Sequence, residues 1–404
     1  MTEEGLKGAA RATEERLPRR DRILLPCVFF GTVILLGGGA ELVARLVFTQ
    51  SQTGIERCTV LNDATTGVRG IPNSVCFEKS PESANIEFNF NKCGHRAGME
   101  CGPKPAHVYR IVMTGSSLAL GERVPQRESF AALLPTALSL KTGRSVELYN
   151  ESMFWGYTHS VTLRFNDVLA ARPDLILWIL TPVDVERSFL VLPSPDEIGQ
   201  WKSKSLSERI WLRLNSILAS EAGKAAITDL LGRSRATLML RHFLYQSQSL
   251  YVNAALAGLD NDAGFFRDPM SALWKEGLKQ VDSDAATIGA QASNAGVPFA
   301  AVYVPNRAQS AMVSMGQWPT GIDPYKLDGQ LRLIIESHGG KYIDLLPEFR
   351  AVPNPERFYF PVDGHPNPEG HALLTKLLAK ELTSGVVPTL TVNKQMGMDA
   401  VGSR

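Results

Sequence analysis

YRIVMTGSSLALG, residues 109–121, joins an apolar run to a glycine, two serines and the start of a helical pattern. The run does not alternate between apolar and polar residues, so the strand it predicts is buried on both faces. Four more runs have the same character: VELYN at 146–150, DLILWILT at 174–181, PFAAVYV at 298–304 and KYIDL at 341–345. Helical stretches such as Ser129–Leu140 and Leu327–His338 lie between them. Buried strands separated by helices predict an α/β fold, a parallel sheet of about five strands covered on both faces. In such sheets the functional site lies beyond the C-terminal ends of the strands, so the residues after each run are inspected first.

After the first run, Gly115-Ser116-Ser117 makes a tight turn. A serine there sits beside backbone N–H groups able to stabilise an oxyanion. Small residues suit any strand-to-helix turn and serine is a good helix cap, so the turn alone does not define a site. The far end of the chain supplies what a serine nucleophile needs. FYFPVDGHPNPEGH, residues 358–371, opens a terminal helix Ala372–Leu382 and carries Asp363 and His365 in an irregular segment rich in glycine and proline. A serine hydroxyl is a weak nucleophile, and a histidine oriented by a carboxylate is its usual base. His371 reads as a structural residue at the start of the helix. His365 and His371 do not have a zinc spacing and no third ligand is indicated, so no metal site is expected. No nucleotide or flavin signature is present either, and no cofactor is implied.

On these residues the chain resembles the SGNH (GDSL-type) esterases and lipases. YRIVMTGSSLALGERVPQRESFAALL is similar to the block that carries that family's nucleophile, with GSS where GDS is commoner, and DGHPNPEGH is similar to its terminal Asp/His block. NFNKCGHRAGMEC, residues 89–101, looks like the lead-in that precedes the nucleophile strand in exported members. Roughly residues 85–185 and 295–383 are covered, about half the chain. The resemblance implies a three-layer α/β/α domain with a flavodoxin-like sheet over residues 109–383. It makes Ser117 the nucleophile, His365 the base, Asp363 the residue that orients His365, and the N–H groups of Ser117 and Gly156 the oxyanion hole. The chain is also similar to the SGNH proteins of alginate acetylation.

Two departures accompany the resemblance. The family's third block carries an asparagine that completes the oxyanion hole, whereas here that place reads Thr181-Pro182-Val183-Asp184. Loss of such a donor costs on the order of 100-fold in rate. The family's aspartate also stands three residues before the histidine, where this chain has Val362; Asp363 is one residue closer, with Asp184 as the reserve carboxylate.

Residues 186–294 interrupt the alternation with a mostly helical stretch, in which 205–231 and 235–259 are apolar at three- and four-residue spacing. Its aromatics, Trp201, Trp211, Phe243, Tyr245 and Tyr251, read either as core or as a helical cap that selects substrate. Asp184 and Arg307, each placed after a strand, are candidate substrate contacts, Arg307 for an anionic group.

The N-terminus adds an address. Residues 1–22 contain six Lys/Arg, and ILLPCVFFGTVILLGGGA, residues 23–40, has no charge, with apolar character resuming as far as Phe48. That length crosses a bilayer, and three consecutive glycines are better tolerated there than in an aqueous helix. Thr49–Val68 has only Arg57, so positive-inside asymmetry predicts a cytoplasmic stub at 1–22, an anchor at 23–48 and an exported remainder. A cleaved signal peptide is the alternative, given the small residues Gly38 and Ala40. Cys58, Cys76, Cys93 and Cys101 cluster just after the anchor without any CxxC pair, which favours two disulfides in a lead-in segment at 49–108 over zinc. Three connectivities are possible; Cys58–Cys76 with Cys93–Cys101 closes the shortest loops. Residues 384–404 read as a flexible tail.

The full chain of 404 residues has 42 Lys+Arg and 41 Asp+Glu, and once the stub is set aside the two signs are equal. That excludes a binder that works by neutralising nucleic-acid phosphates. Three functions follow: a membrane-anchored extracytoplasmic serine esterase acting on acyl esters, including acylated glycans or lipids; an acyltransferase that uses the same residues to modify an envelope polysaccharide; or a non-catalytic envelope binding or scaffold protein. Protein partners are not indicated by the sequence.

Overall fold

The computed structural model describes residues 19–49, 54–63, 67–188, 234–257 and 264–391. Residues 1–18 of the stub, the helix read over 205–231 with Trp201 and Trp211, and the end of the tail therefore lie outside the described residues. The first element is a single helix, α1 (Arg19–Val47), whose portion Cys27–Val47 is long and apolar enough to cross a membrane. Its leucines and phenylalanines are exposed, as in a helix with no protein core around it.

The lead-in folds as two antiparallel hairpins, β1 (Thr59–Asp63) with β2 (Gly67–Gly70) and β3 (Val75–Lys79) with β4 (Asn85–Asn89). Cys58–Cys76 and Cys93–Cys101 are the bonded pairs, the short-loop connectivity. Gly70 and Gly94 meet backbone to backbone: a Cβ on Gly70 would stand 2.3 Å from the Gly94 carbonyl oxygen, and Gly94 has φ +77°. The small core of this region includes Phe88 and Phe90 and continues into Leu120 and Met153 of the main domain.

The main sheet has five parallel strands, β5 (Val108–Thr114), β6 (Ser145–Asn150), β7 (Leu175–Leu180), β8 (Phe299–Tyr303) and β9 (Lys341–Asp344), in the order β6-β5-β7-β8-β9. Every residue of β7 and β8 is buried, the reason their sequences lack alternation. The chain leaves β5 for β6 on one side and returns to β7 on the other, so the order reverses between β5 and β7 and opens a crevice at their C-terminal ends. The helix Phe130–Thr142 packs against the C-terminal helix Pro368–Leu382, while the helix Ala272–Asn294 packs against Thr158–Leu163 and Lys326–Ser337.

Three boundaries differ from the sequence reading. The last part of the 186–294 stretch is the helix Ala272–Asn294, which is the crossover between β7 and β8 itself; Trp274, Val281, Ala285, Ile288 and Ala292 form its buried stripe. Among described residues, the additional helical material is Arg235–Leu244 and Gln248–Ala257. At the other end, the chain stays packed beyond 384: Val387 and Leu390 are buried and Thr389 Oγ1 lies 2.7 Å from Tyr109 Oη. The terminal helix also starts earlier than read, at Pro368, because Asn367 caps it by accepting from Gly370 N–H and proline is tolerated in a first turn.

Candidate active site

The turn after β5 is built by close packing. Gly115 has φ +158°, and a Cβ there would stand 2.9 Å from the Ile179 carbonyl oxygen of β7. Ser116 is buried and donates to Asp184, and Ser117 opens a four-residue helix, Ser117–Leu120. The Ser117 amide therefore sits at a first helical position, where no carbonyl lies one turn earlier to receive it. Beneath the turn lies the buried Arg96 of the lead-in, which donates to the carbonyls of Leu120, Gly121 and Val124 and stacks 4.1 Å from the Phe88 ring centre.

His365 reaches this turn from the opposite end of the sequence. Its Nε2 stands 2.8 Å from Ser117 Oγ and its Nδ1 2.6 Å from Asp363 Oδ1. The loop that brings them is folded back on itself: Phe360 N–H donates to the His365 carbonyl, Gly364 N–H to the Phe360 carbonyl, and Gly364 takes φ +82°. Asp363 accepts at its second oxygen from Arg123 Nε at 2.8 Å. Arg123, with φ +73°, also pairs with Glu122 at 2.7 Å and with Glu78 of β3. A second lead-in carboxylate, Glu82, accepts from the backbone N–H groups of Val362 and Asp363 at 3.0 and 2.8 Å. The loop is thus held from its backbone and from its carboxylate.

Charge in this cluster is set by neighbours more than by solvent. Burial works against an ionised Asp363, yet His365 and Arg123 outweigh it and hold the carboxyl well below the usual range. Burial alone would push His365 down, but the Asp363 carboxylate prevails and the imidazole lies above its ordinary 6.5. Glu122 is almost fully buried and 3.9 Å from His365 Nε2; burial pushes its carboxyl up, against the pull of His365 and Arg123. A hydroxyl, an imidazole and a carboxylate linked in this order can move a proton from oxygen to nitrogen.

The other candidates fall differently. Asp184 does not line the cleft: its carboxylate accepts from Thr181 N–H and Oγ1 in a capping box at the start of the helix Pro182–Glu186, and burial pushes it up to about 6 despite bonds from Thr181 and Ser116. Arg307 borders the cleft but is spent on structure, donating to the carbonyls of Glu356, Pro361 and Tyr245 and stacking 3.7 Å from the Tyr251 ring centre. Gly156 is also committed: its N–H donates to the Met153 carbonyl at 2.9 Å, because Trp155 takes a left-handed φ of +59° that closes the turn. His371 is buried and neutral, accepting from Phe130 N–H, with burial taking it down to about 3. Among the described residues, no group of His, Cys, Asp and Glu side chains is arranged to hold a metal ion.

Sequence reasoning missed Glu122, Arg123, Arg96, Glu78 and Glu82. The charged pair Glu122-Arg123 directly follows the turn, and that adjacency was the available signal; Glu78 and Glu82 carry none, since only tertiary packing brings them here. The cleft above Ser117 holds about 410 Å³ and is walled by Phe154, Trp155, Tyr157, Tyr251 and Tyr359, with Arg187 and Glu186 at its edge.

No protein-family model and no curated protein matches the chain. Among solved structures it is similar to the lipase/acylhydrolase from Enterococcus faecalis, at 14% identity over 68% of this chain and 95% of that one with a TM-score of 0.35. It is also similar to the psychrotrophic esterase EstA from Pseudoalteromonas sp. inhibited by monoethylphosphonate, at 11% identity over 68% and 97% with a TM-score of 0.32. A third is the lipase Lip_vut3 from a goat rumen metagenome, at 10% identity over 68% and 98% with a TM-score of 0.32. At these identities and scores the likeness carries no weight for function, which is read from the site alone.

Proposed function

We propose that the chain is a membrane-anchored, extracytoplasmic serine esterase that cleaves carboxylic acyl esters through an acyl-enzyme. The observation that carries the reading is the continuous line Ser117 Oγ, His365 Nε2, His365 Nδ1, Asp363 Oδ1, with contacts of 2.8 and 2.6 Å in a cleft. In this scheme Nε2 takes the Ser117 proton as Oγ attacks the ester carbonyl carbon. The imidazolium, stabilised by Asp363, then gives that proton to the departing alcohol. Water, deprotonated by the same nitrogen, attacks the acyl carbon; as the carbon–Oγ bond breaks the imidazolium returns the proton to Ser117 Oγ and the acid is released. The Ser117 N–H faces the developing oxyanion. The exported orientation is supported by the six Lys/Arg of residues 1–22, ahead of the uncharged run, and by the two disulfides.

The test is labelling of the full chain, in detergent, by a fluorophosphonate probe. Wild type is expected to label and Ser117→Ala is not; a wild type that melts cooperatively but stays unlabelled defeats the reading. The pH profile adds a second check. His365 must be neutral to act as base, and its folded value is raised, so kcat/KM is expected to fall as pH drops through an inflection above 6.5. An inflection at or below that value contradicts the Asp363 pairing. Transfer of the acyl group to a sugar is the second reading, favoured by the stacked Phe154 and Trp155 rings, 5.2 Å apart, on the cleft wall. Unchanged acetate release, with no acylated product, in the presence of a glycan acceptor counts against it.

A further inference from the structure

Helix α1 carries one acidic residue in its last turns, Glu41, directly after the uncharged run that ends at Ala40. A carboxylate at that depth is expensive unless it is paired. Glu41 is paired by another part of the chain. It accepts from Ser234 Oγ at 2.8 Å and from the amides of Arg235 and Ala236 at 3.1 and 3.0 Å, at the start of the helix Arg235–Leu244. Arg45 Nε adds a fourth donor at 2.8 Å. About two turns further on, just past the end of α1, Phe48 packs edge-on against His242, ring centres 5.6 Å apart. Ala44 and Phe48 are buried, so Glu41 and Ala44 of α1 and the adjoining Phe48 form the stripe that faces this second helix.

The paired positions advance together, 41 with 236 and 48 with 242, so the two helices run side by side in the same direction over roughly 10 Å at 1.5 Å per residue. The membrane-crossing portion of α1 ends at Val47, and its 21 residues match a hydrocarbon thickness of about 30 Å. The segment of α1 that the second helix accompanies is therefore the outermost part of the span. On the helix Arg235–Leu244, Leu240, Phe243 and Leu244 are exposed at i, i+3 and i+4. Between the helices lies an apolar hollow of about 340 Å³, with Gly39, Ala40 and Val43 on one wall and Met239, Leu240 and Phe243 on the other.

We infer that Arg235–Leu244 is a membrane-dipping helix: it enters the outer leaflet beside the end of α1, and lipid acyl chains cover Leu240, Phe243 and Leu244 and fill the hollow. Continuity with the Glu41 docking contact selects lipid as the occupant. The opposite side of the same helix touches the candidate active site, because His242 Nδ1 lies 2.6 Å from Glu82, the carboxylate that holds the amides of Val362 and Asp363. The loop bearing Asp363 and His365 is thereby fixed one side chain away from the bilayer surface.

The inference rests on the anchor reading of α1, and the experiment separates the two. Full-length protein in the Cys27→Ser background is reconstituted in phosphatidylcholine/phosphatidylglycerol liposomes and carries one nitroxide, at Leu240→Cys, Phe243→Cys, Val33→Cys, Leu140→Cys or Leu333→Cys. Collision rates with oxygen and with an aqueous nickel chelate report depth. Labels at 240 and 243 are expected about 5–10 Å below the headgroup level. The label at 33 should be deeper, and those at 140 and 333, also exposed leucines, fully aqueous. Aqueous readings at 240 and 243 with a deep reading at 33 overturn the inference and leave the anchor standing. An aqueous reading at 33 overturns both.

Discussion

Asp363→Asn is expected to lower kcat by about four orders of magnitude with little change in KM. Asp363 accepts from His365 Nδ1, which leaves Nε2 bare toward Ser117 Oγ. An asparagine turned to donate would place the ring proton on Nε2, and the base would be lost even though no atom had moved far. The charge beside the ring would go as well, so the residual activity should show its acid inflection below that of wild type. Steady-state kinetics on a soluble acetyl ester across pH measure both effects. A loss smaller than about tenfold would mean that Asp363 is not the orienting carboxylate and would turn attention to Glu122, 3.9 Å from Nε2.

Arg123→Met is expected to cost about 3–5 kcal/mol of unfolding free energy. The guanidinium touches Glu78, Glu122 and Asp363, and its own side chain is only 16% exposed. Without it the three carboxylates lose the one cation they share, leaving Arg96 to act on Glu122 and Glu78 and His365 to act on Asp363. Their pKa values then rise above those of the unfolded chain. A carboxyl raised in this way favours folding below its unfolded pKa, and that contribution is lost as pH rises through the folded value. The deficit should accordingly be larger near pH 7 than near pH 4 when read by denaturant titration of the full chain in detergent. A deficit below about 1 kcal/mol, equal at both pH values, would show that the cluster does not depend on Arg123.

The positions of the five strands along the chain were legible, most plainly β7 and β8, which are buried throughout and read as unbroken apolar runs; DLILWILT at 174–181 contains β7 entire. Ser117, Asp363 and His365 were legible from their places after a strand and in a loop, although 248 residues separate the serine from the histidine. The crossover helix Ala272–Asn294 was absorbed into the long helical stretch before it, since amphipathic periodicity says that a helix has a buried face but not against what. Gly156 and Asp184 were misread for a related reason. Both stand in the right place along the chain, and what removes them from the cleft is local hydrogen bonding, to the Met153 carbonyl in one case and to Thr181 in the other. Such turn and cap bonds depend on φ values that composition does not encode, such as the left-handed Trp155.

Arg96, Glu78 and Glu82 have a practical consequence for anyone trimming or grafting the domain. A fragment begun at Val108 would retain the whole sheet together with Ser117, Asp363 and His365. It would lack the guanidinium under the Ser117 turn, the Glu78 partner of Arg123 and the acceptor that holds the amides of Val362 and Asp363. The smallest transferable piece therefore starts near Ile55, with both cystines included, and sequence drift in those hairpins will be felt at the imidazole.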